Sequence, residues 1–159
     1  MMSKLPMSDF QWLTDDEISK FDLETLDVEG GTGYILECDL KYPKKLHKSH
    51  NNLTLAPEFL EITNKHLSPY ARNALIQSGC QEKYKDSKLI CSFFDRKDYV
   101  VHAKTLKLYL ALGMEIQKIK RVLSFKQEAF IAPYIKMCTL ARKNSKNPFD
   151  VSQYKKLVS

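Results

Sequence analysis

The stretch MEIQKIKRVLSFKQEAFIAPYIKMCTLARKNSK, residues 114–146, changes its hydrophobic period part-way along. Over 115–126 apolar and polar residues alternate, with some irregularity, as they do in a half-buried β-strand. From Phe130 onward the apolar residues recur at the spacing of an amphipathic helix. The stretch therefore predicts a strand over 115–126 followed directly by a helix over 130–143.

A second strand is predicted over 33–42, within GYILECDLKYP. Its even-numbered apolar residues, Tyr34 to Leu40, alternate with mostly polar ones, and we expect this strand in the same sheet as 115–126. Glu37 and Asp39 then point to one face, where two carboxylates can hold a divalent cation. The alternation alone explains both acids, so an exposed polar face is the favoured interpretation.

The remaining elements are predicted to be short. Thr14 and Glu17 form a capping box, which starts a helix. Further helices are indicated over 68–79 and 105–113, each with a glycine as its stop signal. Residues 44–63 are predicted to be irregular, and residues 88–103 to contain two strands joined at a polar tip. A last helix is predicted to begin at Asn147 and Pro148, and it has no stop signal before residue 159. The predicted fold class is α+β.

Charge is distributed unevenly along the 159 residues. Residues 1–40 carry ten acidic against two basic residues, whereas residues 118–159 carry ten basic against two acidic residues. A basic end favours a polyanionic partner, although a solvated basic face explains the charge equally well. The sequence has no apolar run of membrane-spanning length, and its four cysteines show no paired spacing, so we expect an intracellular chain with reduced thiols and no membrane partner. His47 and His50 are too loosely spaced for a structural zinc site.

Three stretches, taken in order, resemble one family. They are MSKLPMSDFQWLTDDEISKFDLETLD with GYILECDLKYPKKLHKSHNNLTLAPE, then DYVVHAKTLKLYLALGMEIQKIKRVLSFKQEAFIAPYI, and finally ARKNSKNPFDVSQYKKLVS. The chain resembles the protein-primed family B DNA polymerases of the Maverick/Polinton, viral and linear-plasmid type. The resemblance covers nearly the whole chain and implies an internal fragment between the first palm motif and the fingers motif, which accounts for a chain that stops in mid-helix.

The resemblance implies a division at residue 129. Residues 1–129 would be the palm-adjacent insertion that contacts the primer protein and DNA, with mixed strands and short helices, and 130–159 the first two fingers-type helices. The family's two catalytic aspartate motifs are missing, and "DLKYP" with Asp39 is a decoy for the first. The complete enzyme would use Mg²⁺ and a deoxynucleoside triphosphate. We expect neither to be held by this chain alone, and no polymerisation without the two metal-binding aspartates.

The resemblance also implies site residues. Lys156 matches the lysine of the fingers motif that binds the triphosphate. The full set is Lys156, Lys146 and Arg142 for the nucleotide, and Lys143, Lys155, Arg121 and Lys120 for DNA. The implied partners are a DNA template-primer and a terminal-protein primer, in the nucleus if the host is eukaryotic. Lys120 and Ala103 depart from the residues usual in the family. Two alternatives therefore stay open: a non-catalytic basic DNA- or protein-binding module, and a decayed mobile-element remnant.

Overall fold

The structure is a computed structural model that describes residues 2–79 and 85–157. It confirms the predicted α+β class. Short 3₁₀ turns at Lys44–Leu46 and Asn64–His66 supplement the regular elements. These are β1 (Leu5–Trp12), α1 (Asp15–Ser19), β2 (Thr32–Lys41), β3 (Glu58–Thr63), α2 (Pro69–Gln77), β4 (Lys85–Ile90), β5 (Arg96–His102), α3 (Ala103–Ala111), β6 (Glu115–Glu128), α4 (Ala132–Asn144) and α5 (Pro148–Lys156).

The larger sheet has four strands in the order β1-β6-β2-β5. The prediction that 33–42 and 115–126 lie in one sheet is confirmed, because β2 and β6 are neighbours in it. Leu36, Cys38 and Leu40 are fully buried while the residues between them are half-buried, so the predicted alternation holds. Burial of one face fixes the register, since a slip by one residue would turn these side chains outward.

Gly33 at the start of β2 permits a close approach to β6. A Cβ atom added there would lie 2.2 Å from the ring of Phe125, so only glycine leaves room for that ring. The side-chain amide of Gln127 donates to the carbonyls of Val28 and Gly30, both at 3.0 Å. These contacts hold the turn before β2 against β6.

The smaller sheet was not predicted. β3 pairs antiparallel with β4, from Glu58 opposite Ile90 to Thr63 opposite Lys85. The prediction of irregular structure over 44–63 is therefore wrong for β3. Of the two strands predicted within 88–103, β5 lies in that range and β4 only overlaps its start. They do not form a hairpin, because β4 belongs to the small sheet and β5 to the large one.

β1 was also missed by the sequence pattern. It pairs antiparallel with β6 through two register shifts, and Asp9 within it has a positive φ of 58°. Pro6 further weakens the local strand signal, because proline lacks the N–H that a sheet ladder uses. β1 therefore depends on its pairing with β6 rather than on its own sequence.

The helix boundaries follow the predicted caps closely. Thr14 and Glu17 form the expected capping box at α1, and Ser68 caps α2 by accepting from the N–H of Ala71. α4 is confirmed near its predicted range, and Asn147 caps α5 by accepting from the N–H of Phe149. Val158 and Ser159, the end of the predicted last helix, lie outside the described residues. No helix within the described ranges combines the length and apolar character needed to cross a membrane.

The chain divides into two compact units. The first comprises the described parts of Met1–Cys38, Asp98–Lys107 and Ile119–Ser159, with Phe125 and Leu106 among its buried residues. The second comprises the described parts of Asp39–Lys97 and Leu108–Lys118. The predicted domain boundary at 129 lies within the first unit, and it stays a prediction.

Candidate nucleic-acid interface

α4 and α5 pack against each other in the first unit and are joined by a short turn at Ser145–Asn147. On α4, Ile135 and Cys138 are buried, which turns the opposite side of the helix to solvent. On α5, Asp150, Val151 and Tyr154 are half-buried and form the packed side. The two helices thus pack through these sides, and each leaves an exposed polar face.

The cations of this segment lie on those exposed faces. Between Ala132 and Leu157 the only acidic residue is Asp150. Arg142, Lys143, Lys146 and Lys155 form no ion pair within residues 2–79 and 85–157. We give the name α4–α5 basic surface to five of the exposed cations, namely Arg142, Lys143, Lys146, Lys155 and Lys156.

The α4–α5 basic surface has two parts. Arg142, Lys143 and Lys146 lie at the end of α4 and in the turn, whereas Lys155 and Lys156 lie in the last turn of α5. Along the axis of α5 its two ends are about 12 Å apart, at about 1.5 Å per residue. Arg142 and Lys146 thus lie at the opposite end of α5 from Lys156, although all three were predicted for one nucleotide.

Lys155 and Lys156 differ in orientation around α5. Lys156 follows the half-buried Tyr154 by two residues, or about 200° around the axis, and Lys155 by about 100°. Lys156 therefore lies on the side opposite the packed face. Both side chains are exposed.

Arg121 and Lys120, the other two predicted DNA contacts, are bound within the protein. The guanidinium of Arg121 forms an ion pair with Glu37 and lies over the ring of Trp12, with its Cζ 5.1 Å from the ring centre. Lys120 forms an ion pair with Asp98. A phosphate would have to displace a carboxylate at both positions, whereas Arg142, Lys143, Lys146 and Lys155 have no such competitor among the described residues.

The acidic and histidine candidates take structural positions. Glu37 is the partner of Arg121, and the hydroxyl of Tyr42 hydrogen-bonds Nδ1 of His50 at 2.7 Å. In the part of the chain that the structure describes, no three His, Cys, Asp or Glu side chains are grouped to hold a metal ion.

Sequence reasoning missed a cavity in the second unit. It has a volume of about 590 Å³ and is lined by Lys41, Tyr42, Pro43, Lys44, Lys45, His47, Phe93, Phe94, Asp95 and Glu115. The rings of His47 and Phe93 stack at 4.5 Å with 15° between their planes, and Tyr42 meets Phe93 edge-on at 5.3 Å. Nε2 of His47 is buried and has no hydrogen-bond partner among the described residues. The only sequence signal was the mixture of aromatic and basic residues in KYPKKLH and SFFDR.

A buried arginine supports one wall of this cavity. Arg96 is 1% exposed, and its guanidinium donates to the carbonyls of Ala56 (2.8 Å), Ser92 (3.0 Å) and Phe94. It also forms an ion pair with Glu58 at 3.0 Å. The carboxylate of Asp95 accepts from the N–H of Tyr42 at 2.7 Å. The backbone that carries Phe93 and Phe94 is therefore fixed on both sides.

Comparison of the chain with protein-family models, curated proteins and solved structures finds no match. The polymerase resemblance rests on the sequence stretches that carry it.

Proposed function

We propose that this chain is part of a protein-primed family B DNA polymerase and contributes contacts to the DNA template-primer, the terminal-protein primer and the incoming nucleotide. The observation that carries the proposal is the α4–α5 basic surface, which is formed where the resemblance locates the first fingers helices. Lys156 serves the triphosphate, while Arg142, Lys143 and Lys146 serve phosphates near the turn. These residues bind and position; Mg²⁺ and the metal-binding acids of the complete enzyme would supply the chemistry of nucleotide transfer.

The physical basis is the state of these cations. Lysine acts as a point charge toward phosphate, and arginine adds a planar pair of donors. Arg142, Lys143 and Lys146 form no ion pair among the described residues, so they need no exchange of partners before they meet a phosphate. The sparse acidic residues of the segment also leave its positive potential largely uncancelled.

The proposal is tested by the salt dependence of duplex DNA binding to the 159-residue chain. Each neutralised phosphate releases counterion, at roughly −0.9 in the slope of log K against log salt. With about four contacts the slope should be near −3.6. Binding should be weak and independent of sequence, measured by the fluorescence anisotropy of a labelled duplex.

A charge-matched pair of triple variants locates the contact. Arg142→Gln/Lys143→Gln/Lys146→Gln should make the slope less steep by about 2.7, or about 0.9 per lost contact. The control Lys20→Gln/Lys65→Gln/Lys97→Gln removes the same charge from exposed positions elsewhere. Equal slopes for the two variants, or a strong preference for one DNA sequence, would contradict the proposal.

A further inference from the structure

The cavity of the second unit presents an aromatic surface that the protein does not cover. Phe93 is stacked on His47, so its ring is partly occupied within the wall. Phe94, in contrast, is 63% exposed although it lines the cavity. An exposed aromatic ring in a concave wall can accept a flat apolar group, which would gain both burial and stacking.

This wall is held in place before any ligand arrives. Arg96 holds the carbonyls of Ser92 and Phe94, and Asp95 holds the N–H of Tyr42. The stacked pair of His47 and Phe93 limits movement of the neighbouring rings. A wall that is ordered in advance loses little conformational entropy on binding, which favours a ligand site over an adaptable surface.

The rim of the cavity carries unpaired positive charge. Lys41 pairs with Glu115 at 3.4 Å, and Asp95 already accepts a backbone hydrogen bond. Lys44 and Lys45 are exposed and form no ion pair among the described residues. A matching ligand therefore combines a flat aromatic part with negative charge.

We propose that this cavity binds an unpaired nucleotide of single-stranded DNA, with its base against Phe94 and the adjoining phosphates on Lys44 and Lys45. A volume of about 590 Å³ lies within the usual range of ligand sites. Base stacking on aromatic side chains beside basic residues is the common way to bind single strands, because every base has a π-face. Duplex DNA keeps its bases stacked inside, so it cannot use the wall. The site is separate in sequence from the α4–α5 basic surface and goes beyond the function proposed above.

The experiment compares three labelled probes by fluorescence anisotropy with the 159-residue chain. They are a short oligothymidylate, an abasic oligonucleotide of the same length, and an acidic peptide that contains tyrosine. We expect the oligothymidylate to bind at least fivefold more tightly than the abasic strand, because stacking contributes about 1–3 kcal/mol per base. Equal affinity for the two strands would overturn the proposal. Tighter binding of the peptide would do the same and would indicate a protein-docking site.

Variants with matched controls assign the binding to the cavity. Phe94→Ala should abolish the preference for the strand with bases, while Phe94→Trp should keep it. Phe59→Ala, at a phenylalanine that is 75% exposed on β3, should change nothing. Lys44→Gln/Lys45→Gln should make the salt slope less steep by about 1.4, at about 0.7 per phosphate on single strands. Equal losses from Phe94→Ala and Phe59→Ala would overturn the assignment.

Binding of single strands at the cavity can be distinguished from binding of duplex DNA at the α4–α5 basic surface. Arg142→Gln/Lys143→Gln/Lys146→Gln should weaken duplex binding and leave the preference for bases over abasic sites intact. A base preference lost in that variant but kept in Phe94→Ala would place single-strand binding on α4–α5 and overturn the cavity proposal.

Discussion

Arg96 and Arg142 carry the same guanidinium group in opposite surroundings. Arg96 is 1% exposed and is bonded to three backbone carbonyls and to Glu58. Arg142 is exposed at the end of α4 and forms no ion pair within the described residues. Arginine gives the two positions the same formal charge, yet only the second is available to a partner.

The difference follows from the cost of removing a charge from water. A buried charge persists only if it is paired and its hydrogen-bonding groups are satisfied, and each guanidinium nitrogen of Arg96 has a fixed acceptor. An exposed cation meets no such requirement and contributes little to stability. Arg96 therefore stabilises the fold, whereas Arg142 remains available for binding. Substitutions at the two positions can separate these two roles.

The largest expected effect is that of Arg96→Ala on stability. It leaves the carbonyl of Ala56, which receives a bond from Arg96 at 2.8 Å, without that donor, and it leaves Glu58 without its cation. The free energy of unfolding should fall by about 3–5 kcal/mol, the usual cost of breaking a buried ion pair. Urea denaturation followed by circular dichroism measures it.

Arg142→Ala is the matched control for this substitution. Its effect on the free energy of unfolding should stay within about 0.5 kcal/mol, as for most surface positions. Losses of similar size in the two variants would show that Arg142 has a structural role that the structure does not display.

The next largest effect separates two neighbouring lysines. In a polymerase that carries this segment, Lys156→Ala should raise the Michaelis constant for the nucleotide or lower turnover at least tenfold, a loss of about 1.4 kcal/mol. Lys155→Ala should change either constant little, because its side chain is turned about 100° around α5. Steady-state kinetics of primer extension measures both. Equal and small effects would mean that the triphosphate lysine lies elsewhere.

A smaller effect concerns Arg121, which is exposed like Arg142 but forms an ion pair like Arg96. Glu37→Gln removes its carboxylate partner and should free the guanidinium for a phosphate. If Arg121 is a DNA contact, the salt slope for duplex binding should become steeper by about 0.9. Glu61→Gln removes the carboxylate partner of Lys85, with the same change in charge, and serves as the control. An unchanged slope in Glu37→Gln would assign Arg121 a purely structural role.

The sequence predicted those elements whose information is local. β2 and β6 show alternation, and α2 and α5 carry their own caps at Ser68 and Asn147. In contrast, β3 and β4 pair across a long separation in the chain, from Glu58 to Ile90, which no short pattern encodes. Periodicity therefore identifies an element but not its distant partner.

The same limit applies to the candidate sites. The basic residues of α4 and α5 were found because they cluster along the chain. The cavity was missed because Lys44 and Phe94 are far apart in the sequence, and the buried Arg96 fixes the wall that carries Phe94. Sequence reasoning also could not separate Arg121, which has an acidic partner, from Arg142, which has none in the part of the chain that the structure describes.

The smallest expected effect concerns His102, a base whose charge depends on its surroundings. Its partial burial and the positive charge of Lys104 lower the pKa of His102. Its Nδ1 also accepts from the N–H of Lys104 at 3.1 Å, a bond that a proton on Nδ1 would prevent. The folded state thus binds this proton less readily than the unfolded chain, whose histidine titrates near about 6.5.

The sign of the pH effect follows from this difference. Below the unfolded pKa the unfolded chain takes up a proton that the folded state resists, so the free energy of unfolding should fall as pH decreases from about 7.5 to about 5.5. His102→Gln should reduce this decrease, and Lys104→Gln should reduce it in part because it removes the second cause of the lowered pKa. Urea denaturation across this pH range measures the three proteins. Parallel pH profiles for wild type and His102→Gln would show that another group carries the dependence. A smaller decrease in both variants would show that the charge of His102 is determined by its partial burial and by Lys104.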